Sequence, residues 1–297
     1  MPQMTGTAVP PVKGTEPARR ENAFGKLAKS SILNILLAVY ALVTLYPLIW
    51  LFISAFKTND EFFGKPFGLP AEWKWDNFVQ AWKVADIETA VINSAIVTLV
   101  ALVLTLAIGA LTAFVLSRFS FRMRGPLMGY FLLGMLIPVH STLVPLFIML
   151  KKIGMLDTYG ALILPYVAFE LPVAIFIIAA YMTSVPKEIE EAALIDGTGY
   201  WGIFTKMLLP LSVPALSTVG ILAFLRYWND FAFALVFINK PSLKTLPLSL
   251  SQFATGFGTD YRLTMAAMAI SVIPTILIYL AFQEQIMKGM VAGAVKG

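Results

Sequence analysis

Long apolar runs alternate with short polar segments along this chain. The runs 31–56, 89–117, 127–150, 160–184, 212–238 and 263–283 are each bounded by charge, proline or glycine. Each supplies the stretch of about 20 mostly apolar residues that a helix needs to cross a bilayer. The pattern predicts an all-α membrane protein with six transmembrane helices. Pro47, Pro138, Pro145, Pro165, Pro172 and Pro274 fall inside these runs, where neighbouring helices in a bundle can satisfy the carbonyls that proline frees. Kinked helices around a pathway are therefore expected. Residues 1–30 are rich in Pro, Thr, Lys and Arg, lack an apolar core and read as a disordered tail. The run after Ser30 is too long for the apolar region of a signal peptide and lacks a small-residue cleavage site, so it is read as an uncleaved first span. The loop sequence "FGLPAEWKWDNFVQAWKVADI" carries three tryptophans and predicts a short amphipathic helix at a membrane interface.

Composition agrees with this reading. Apolar residues make up 58% of the 297 and charged residues 13%, against roughly 45–50% and about 25% in soluble domains; mean hydropathy is +0.78. The formal charge of +5 comes without a basic block or aromatic-interleaved basic patch, which makes it a topology signal rather than a nucleic-acid footprint. Lys13, Arg19, Arg20, Lys26 and Lys29 in the tail, and Arg118, Arg122 and Arg124 in the turn "SRFSFRMRG", place both termini inside. Segments 57–88 and 239–262 are then outside and 185–211 inside. The absence of cysteine excludes disulfides, thiolate metal sites and cysteine nucleophiles. One histidine, His140, cannot build a histidine-rich metal centre, and neither a metal-ligand spacing nor a Ser/His/Asp order is visible.

The inside segment "EEAALIDGTGYWGIFTKMLLP", residues 190–210, breaks the apolar pattern with three carboxylates, Glu190, Glu191 and Asp196. Pro186 suits a first helical turn and Glu188, Glu190 and Glu191 follow it, where a helix N-terminus favours negative charge. Gly197 fits the left-handed position past a helix end, and Thr198 is placed to cap a second helix that runs through Trp201, Phe204 and Met207 until Pro210 and Pro214 interrupt it. Ile189, Ala192 and Ala193 share one face of the first helix, apolar but low in relief, so that another surface can approach closely. Two readings fit this hairpin: an amphipathic loop resting on the membrane with its acids solvated, or a knob that docks a protein. An anionic bilayer attracts basic helices and repels acidic ones, which favours the protein partner.

Pro186, Glu188, "EAALIDG" (191–197), Phe204, the Leu209–Pro210 pair and Pro214 resemble the Glu-Ala-Ala signature of bacterial ABC importer permeases. The resemblance extends over about residues 31–297 and is nearest to the permeases of carbohydrate importers, with "NFVQAW" (77–82), "IPVHSTLVPLF" (137–147), "YWNDF" (227–231) and the C-terminal "GMVAGAVKG" as softer supports. It implies a type I importer permease fold with its core at 89–282, preceded by a first helix and external loop at 31–88 and followed by an inside tail at 283–297. It further implies a second permease subunit, two ATPase subunits, an external solute-binding protein and a sugar substrate. In that family the hairpin is the coupling helix, so Glu190, Glu191, Ala192, Ala193, Asp196 and Gly197 are its candidate coupling residues. ATP and its magnesium ion belong to the partner ATPase, since "GTGYWG" (197–202) lacks the Lys-Ser/Thr of a phosphate-cradling loop. The chain is thus read as a transport subunit without cofactor, not an enzyme. Alternatives are an ABC permease for a non-sugar solute, such as phosphate or an amino acid, and an ion-coupled secondary transporter. The latter would be expected to show internal repeats and more membrane acids.

Polar residues inside the spans are the candidates for the solute pathway: His140, Glu170, Arg226, Tyr227, Trp228, Asn229 and Asp230, because intramembrane ionisable groups are costly and often functional. His140, beside Ser141 and Thr142, has a structural hydrogen-bonding reading as well. Glu170 could equally bond a carbonyl freed by Pro165 or Pro172. Tyr227, Trp228 and Asn229 offer the ring and amide chemistry that suits a sugar. Arg226, which is not a regular feature of the family, has Asp230 at i+4, and the spacing predicts an intrahelical ion pair serving either assembly or a gate.

Overall fold

The computed structural model describes residues 23–253 and 260–294. Every regular element among them is helical: α1 Ala23–Ser54, α2 Asn59–Gly64, α3 Asp76–Val84, α4 Ile87–Arg118, α5 Arg124–Gly134, α6 Leu143–Lys152, α7 Gly160–Ser184, α8 Glu188–Ile195, α9 Tyr200–Ile203, α10 Leu209–Leu211, α11 Val213–Trp228, α12 Ala232–Phe237, α13 Leu246–Leu250 and α14 Tyr261–Ala294. Most of the segment read as an N-terminal tail lies outside the described residues. Its last part, from Ala23, is helical, since "AFGKLAKS" is composed mainly of residues that extend a helix readily. The helix of α14 likewise continues through 283–294.

The chain divides into two compact units, ending and beginning at Trp50 and Leu51. The first holds most of α1, whose apolar side chains from Ile32 to Tyr46 are exposed. The second holds the remaining helices. There α4 packs along α7, α11 packs on α4, α7 and α14, and α3 lies against α14. A Cβ on Gly109 of α4 would sit 3.2 Å from Ala174 Cβ of α7, so the glycine is what allows these two helices their close approach.

Among the described residues, four helices are long and apolar enough to cross a membrane unbroken: α1 from Ser31, α4, α7 and α14 to Ala281. The other two expected spans are not single rods. The run 127–150 is α5 and α6 with a 90° bend between them. Pro138 has no N–H to continue the helix, and the residue before a proline is pushed out of helical geometry; a 3-10 turn at Val139–Thr142 carries the chain round the corner. The run 212–238 breaks at Asn229–Phe231 between α11 and α12. There the Asn229 amide donates to the Leu225 carbonyl at 2.8 Å and the Asp230 carboxylate accepts from the Ala234 N–H at 3.3 Å. Such side-chain bonds to the backbone compete with the helical ladder.

At the end of the second unit where α4 begins, polar side chains fasten the loops. Asn93 donates to the Ser242 and Lys244 carbonyls, both at 3.0 Å, and accepts from the Tyr159 hydroxyl at 2.7 Å. Asp157 accepts the Asn239 and Lys240 N–H groups at 2.5 and 2.8 Å, and these bonds hold its carboxyl below the usual carboxylate value. In the Trp-rich loop only α3 is helical. Trp73, Trp75 and Trp82 are exposed while Asn77 and Ala81 face inward.

Candidate functional site

The acidic segment folds as the expected helical hairpin, with differences that matter. Helix α8 ends in a Schellman arrangement: the Gly197 N–H donates to the Leu194 carbonyl at 3.0 Å and the Thr198 N–H to the Ala193 carbonyl at 2.9 Å. Gly197 sits at φ +80° with open space around its Cα, so backbone conformation is what calls for glycine there. Thr198 is spent on this closure, and the cap of the second arm is Gly199 instead, whose carbonyl accepts from the Ile203 N–H. Pro210 does not end the second arm. The turn before it widens to a π-helix over Phe204–Leu208, with the Leu209 N–H reaching back to the Phe204 carbonyl, and this accommodates a residue that has no N–H of its own. The chain then bends by 71° into α11.

The coupling candidates divide between two faces. Glu188, Glu191, Ala192 and Asp196 are exposed, and so are Leu194, Ile195, Tyr200 and Trp201; Ile195 is 86% and Trp201 68% exposed. Ala193 is not part of this outer surface. It is buried in the core cluster that also holds Ile203, Phe204, Ile178 and Ala113, so its small side chain serves close packing of the hairpin on its own chain. Glu190 is turned inward as well. Its Oε1 lies 2.5 Å from Nε of Arg118, the last residue of α4, and the two side chains are 13% and 4% exposed. Burial pushes the Glu190 carboxyl above its usual value, and the Arg118 charge offsets only part of that. Sequence reasoning missed Arg118 as this partner and missed the exposed Ile195 and Trp201; helical spacing cannot say which face of so short a helix the rest of the chain covers.

Glu170, Arg226, Tyr227 and Asp230 lie along a seam where α7 meets α11 and the break before α12; Trp228 and His140 lie apart from it. Glu170, 1% exposed, lies 2.9 Å from Nη1 of Arg226, whose side chain is 57% exposed. The expected Arg226–Asp230 pair is therefore not formed. Helix α11 stops at Trp228, so Asp230 no longer stands one helical turn below Arg226; it accepts instead from the Tyr166 hydroxyl at 2.8 Å. Tyr227 is buried, stacked on Tyr166 with ring centroids 5.0 Å apart, and its hydroxyl is 2.8 Å from that of Thr105. Trp228 is buried and stacked on Phe224. Of the aromatic–amide trio only Asn229 is exposed, and it is bonded to the Leu225 carbonyl. His140 is exposed on the 3-10 turn at the α5–α6 bend.

Comparison with known proteins places this architecture. The chain is 40% identical over 263 residues to the probable ABC transporter permease protein YurM of Bacillus subtilis, covering 89% of this chain and 87% of that one. It is 34% identical to the trehalose/maltose transport system permease protein MalG of Thermococcus litoralis, covering 92% and 99% respectively. A crystal structure of a bacterial ABC transporter involved in the import of the acidic polysaccharide alginate contains a chain with the same fold, at a TM-score of 0.76 and 22% identity over 91% of this chain and 99% of that one. Residues 105–291, which include the hairpin and the polar seam, match the family described as binding-protein-dependent transport system inner membrane component. With four unbroken apolar helices among the described residues and up to two further bent spans, the chain belongs to that family, the multi-pass inner membrane components of binding-protein-dependent transport systems.

Proposed function

We propose that this chain is the permease subunit of an ATP-driven sugar importer, paired with a second permease, driven by two ATPase subunits that bind ATP and magnesium, and fed by an external solute-binding protein. Relatives named for trehalose/maltose, diacetylchitobiose and arabinooligosaccharide transport support sugar as the solute class. Both termini and the 186–209 hairpin face the cytoplasm on this reading, in keeping with the basic residues of the tail and of the 118–124 turn. The observation that carries the coupling role is the outer face of α8 and α9. Ile195 and Trp201 are exposed on it together with the carboxylates Glu188, Glu191 and Asp196, the combination of apolar anchors and charged groups that suits a protein groove. Transport proceeds by conformational switching: closure of the ATPase pair displaces the hairpin and opens the pathway alternately to each side.

Within the spans, the exposed flank of Arg226 faces the pathway with Asn229 and His140, because an arginine side chain exposed on an apolar helix is unfavourable against lipid. Tyr227 and Trp228 shape that wall from behind. The coupling test is co-purification with the ATPase from reconstituted complex. Glu191→Lys reverses a charge on the outer face, and Gly197→Val imposes a β-branched residue at φ +80°. Both are expected to lose ATPase binding and uptake while the variant chain still inserts. Wild-type pull-down together with normal uptake in both variants would overturn the coupling role.

A further inference from the structure

Arg118 stands where three helix ends meet. It closes α4; its Nε faces Glu190 in the first turn of α8 at 2.5 Å; and its Nη2 donates at 3.1 Å to the carbonyl of Val185, the residue that caps α7. A positive charge at the C-terminal ends of α4 and α7, and a negative one in the first turn of α8, suit all three helix dipoles. The guanidinium thus combines a hydrogen bond from Nη2 with an ion-pair contact at Nε, and its planar, multi-donor head suits two such partners better than the point charge of a lysine. The second arm of the hairpin is held to the same end of α4 by aromatic contacts, Phe204 on Phe114 with centroids 5.1 Å apart and Tyr200 on Phe119 at 5.0 Å. The exit toward α11 is built differently, from the π-helical turn at Phe204–Leu208, Pro210 and the 71° bend. The hairpin is thus fastened on one side and jointed on the other.

We propose that Arg118 is a positioning residue for energy coupling. It makes the hairpin, α4 and α7 a single moving body, so that displacement of the hairpin is delivered to those two spans and taken up at the joint before α11. The proposal rests on the coupling role of the hairpin.

The test uses the complete reconstituted importer. Arg118→Met combined with Glu190→Leu removes the charges but keeps apolar volume, a replacement that buried ion pairs often tolerate without loss of stability. The ATPase is expected to co-purify at wild-type level and to hydrolyse ATP, while solute taken up per ATP falls on the order of tenfold, within the usual range of coupling energies. Uptake per ATP at wild-type level would overturn the proposal. Loss of ATPase binding by a double variant that melts at the wild-type temperature would also overturn it, because the pair would then serve docking and not transmission.

A second measurement does not depend on that variant folding. The chain has no cysteine, so pairs of spin labels can be placed at Lys187 and Leu111 and at Lys187 and Leu222, all exposed positions. Between nucleotide-free and ATP-bound importer the first distance is expected to stay constant and the second to change. A first distance that shifts as much as the second would overturn the proposal. Should Glu191→Lys leave ATPase binding and uptake intact, the coupling reading itself fails, whatever Arg118 does.

Discussion

Two arginine–glutamate pairs stand at opposite ends of the same design problem. In the seam of α7 and α11 the carboxylate is the buried member, Glu170 at 1% exposure, and Arg226 leaves 57% of its side chain uncovered. At the hairpin the arginine is the more buried member, Arg118 at 4%, with an ion-pair contact to Glu190 and a hydrogen bond to the Val185 carbonyl. The first pair orients a cation outward and leaves part of it free for something outside the chain. The second spends its cation on joining three helix ends. Residue type is the same in both; what differs is which partner the fold covers, and that decides whether the pair presents a charge or fastens a joint.

The largest effect that tests this contrast is expected from Arg226→Leu. It strands the carboxylate of Glu170 in a site with 1% exposure, and breaking a buried pair from one side costs about 3–5 kcal/mol. The reverse change, Glu170→Gln, leaves an arginine that already reaches outward and is expected to cost less. Thermal denaturation of the detergent-purified complex measures both, and equal losses would remove the asymmetry.

Glu190→Gln is expected to be milder than Arg226→Leu, because it removes an ion-pair contact while Arg118 keeps its hydrogen bond to the Val185 carbonyl. A loss as large as that of Arg226→Leu would show that the hairpin pair is the more dependent of the two. The smallest effect is in pH. The Glu190 carboxyl is raised by burial, so the folded state holds its proton over a range where the unfolded chain has released it, and stability falls as pH rises from the usual carboxylate value through the raised one. Melting curves across that window should show this slope in the wild-type protein and a flatter one in Glu190→Gln. An opposite slope attributable to Glu190 would mean that Arg118 outweighs desolvation there.

Much of the hairpin was legible in the sequence because its signals are local. An acidic first turn, paired alanines and a glycine at a left-handed turn each act within a few residues, and the structure has α8 and Gly197 where they pointed. Thr198 was misjudged for an equally local reason: its N–H closes the first helix and leaves Gly199 as the cap of the second. The Arg226–Asp230 spacing failed because it assumed an unbroken helix, whereas α11 ends between the two. Nothing in the spacing along one segment could join Arg118 to Glu190 or Arg226 to Glu170, since each pair lies on separate helices.

The sequence by itself determined that this is a bundle of membrane helices, roughly where they lie, and which segment interrupts them, because burial of apolar length in lipid and turn chemistry are read residue by residue. Only the tertiary structure decided which spans bend and which polar groups meet. It turned Ala193 and Glu190 toward their own chain and left Ile195 and Trp201 facing out. Those outcomes depend on side chains from distant segments competing for the same hydrogen bonds and the same space, and that competition exists only once the helices are packed.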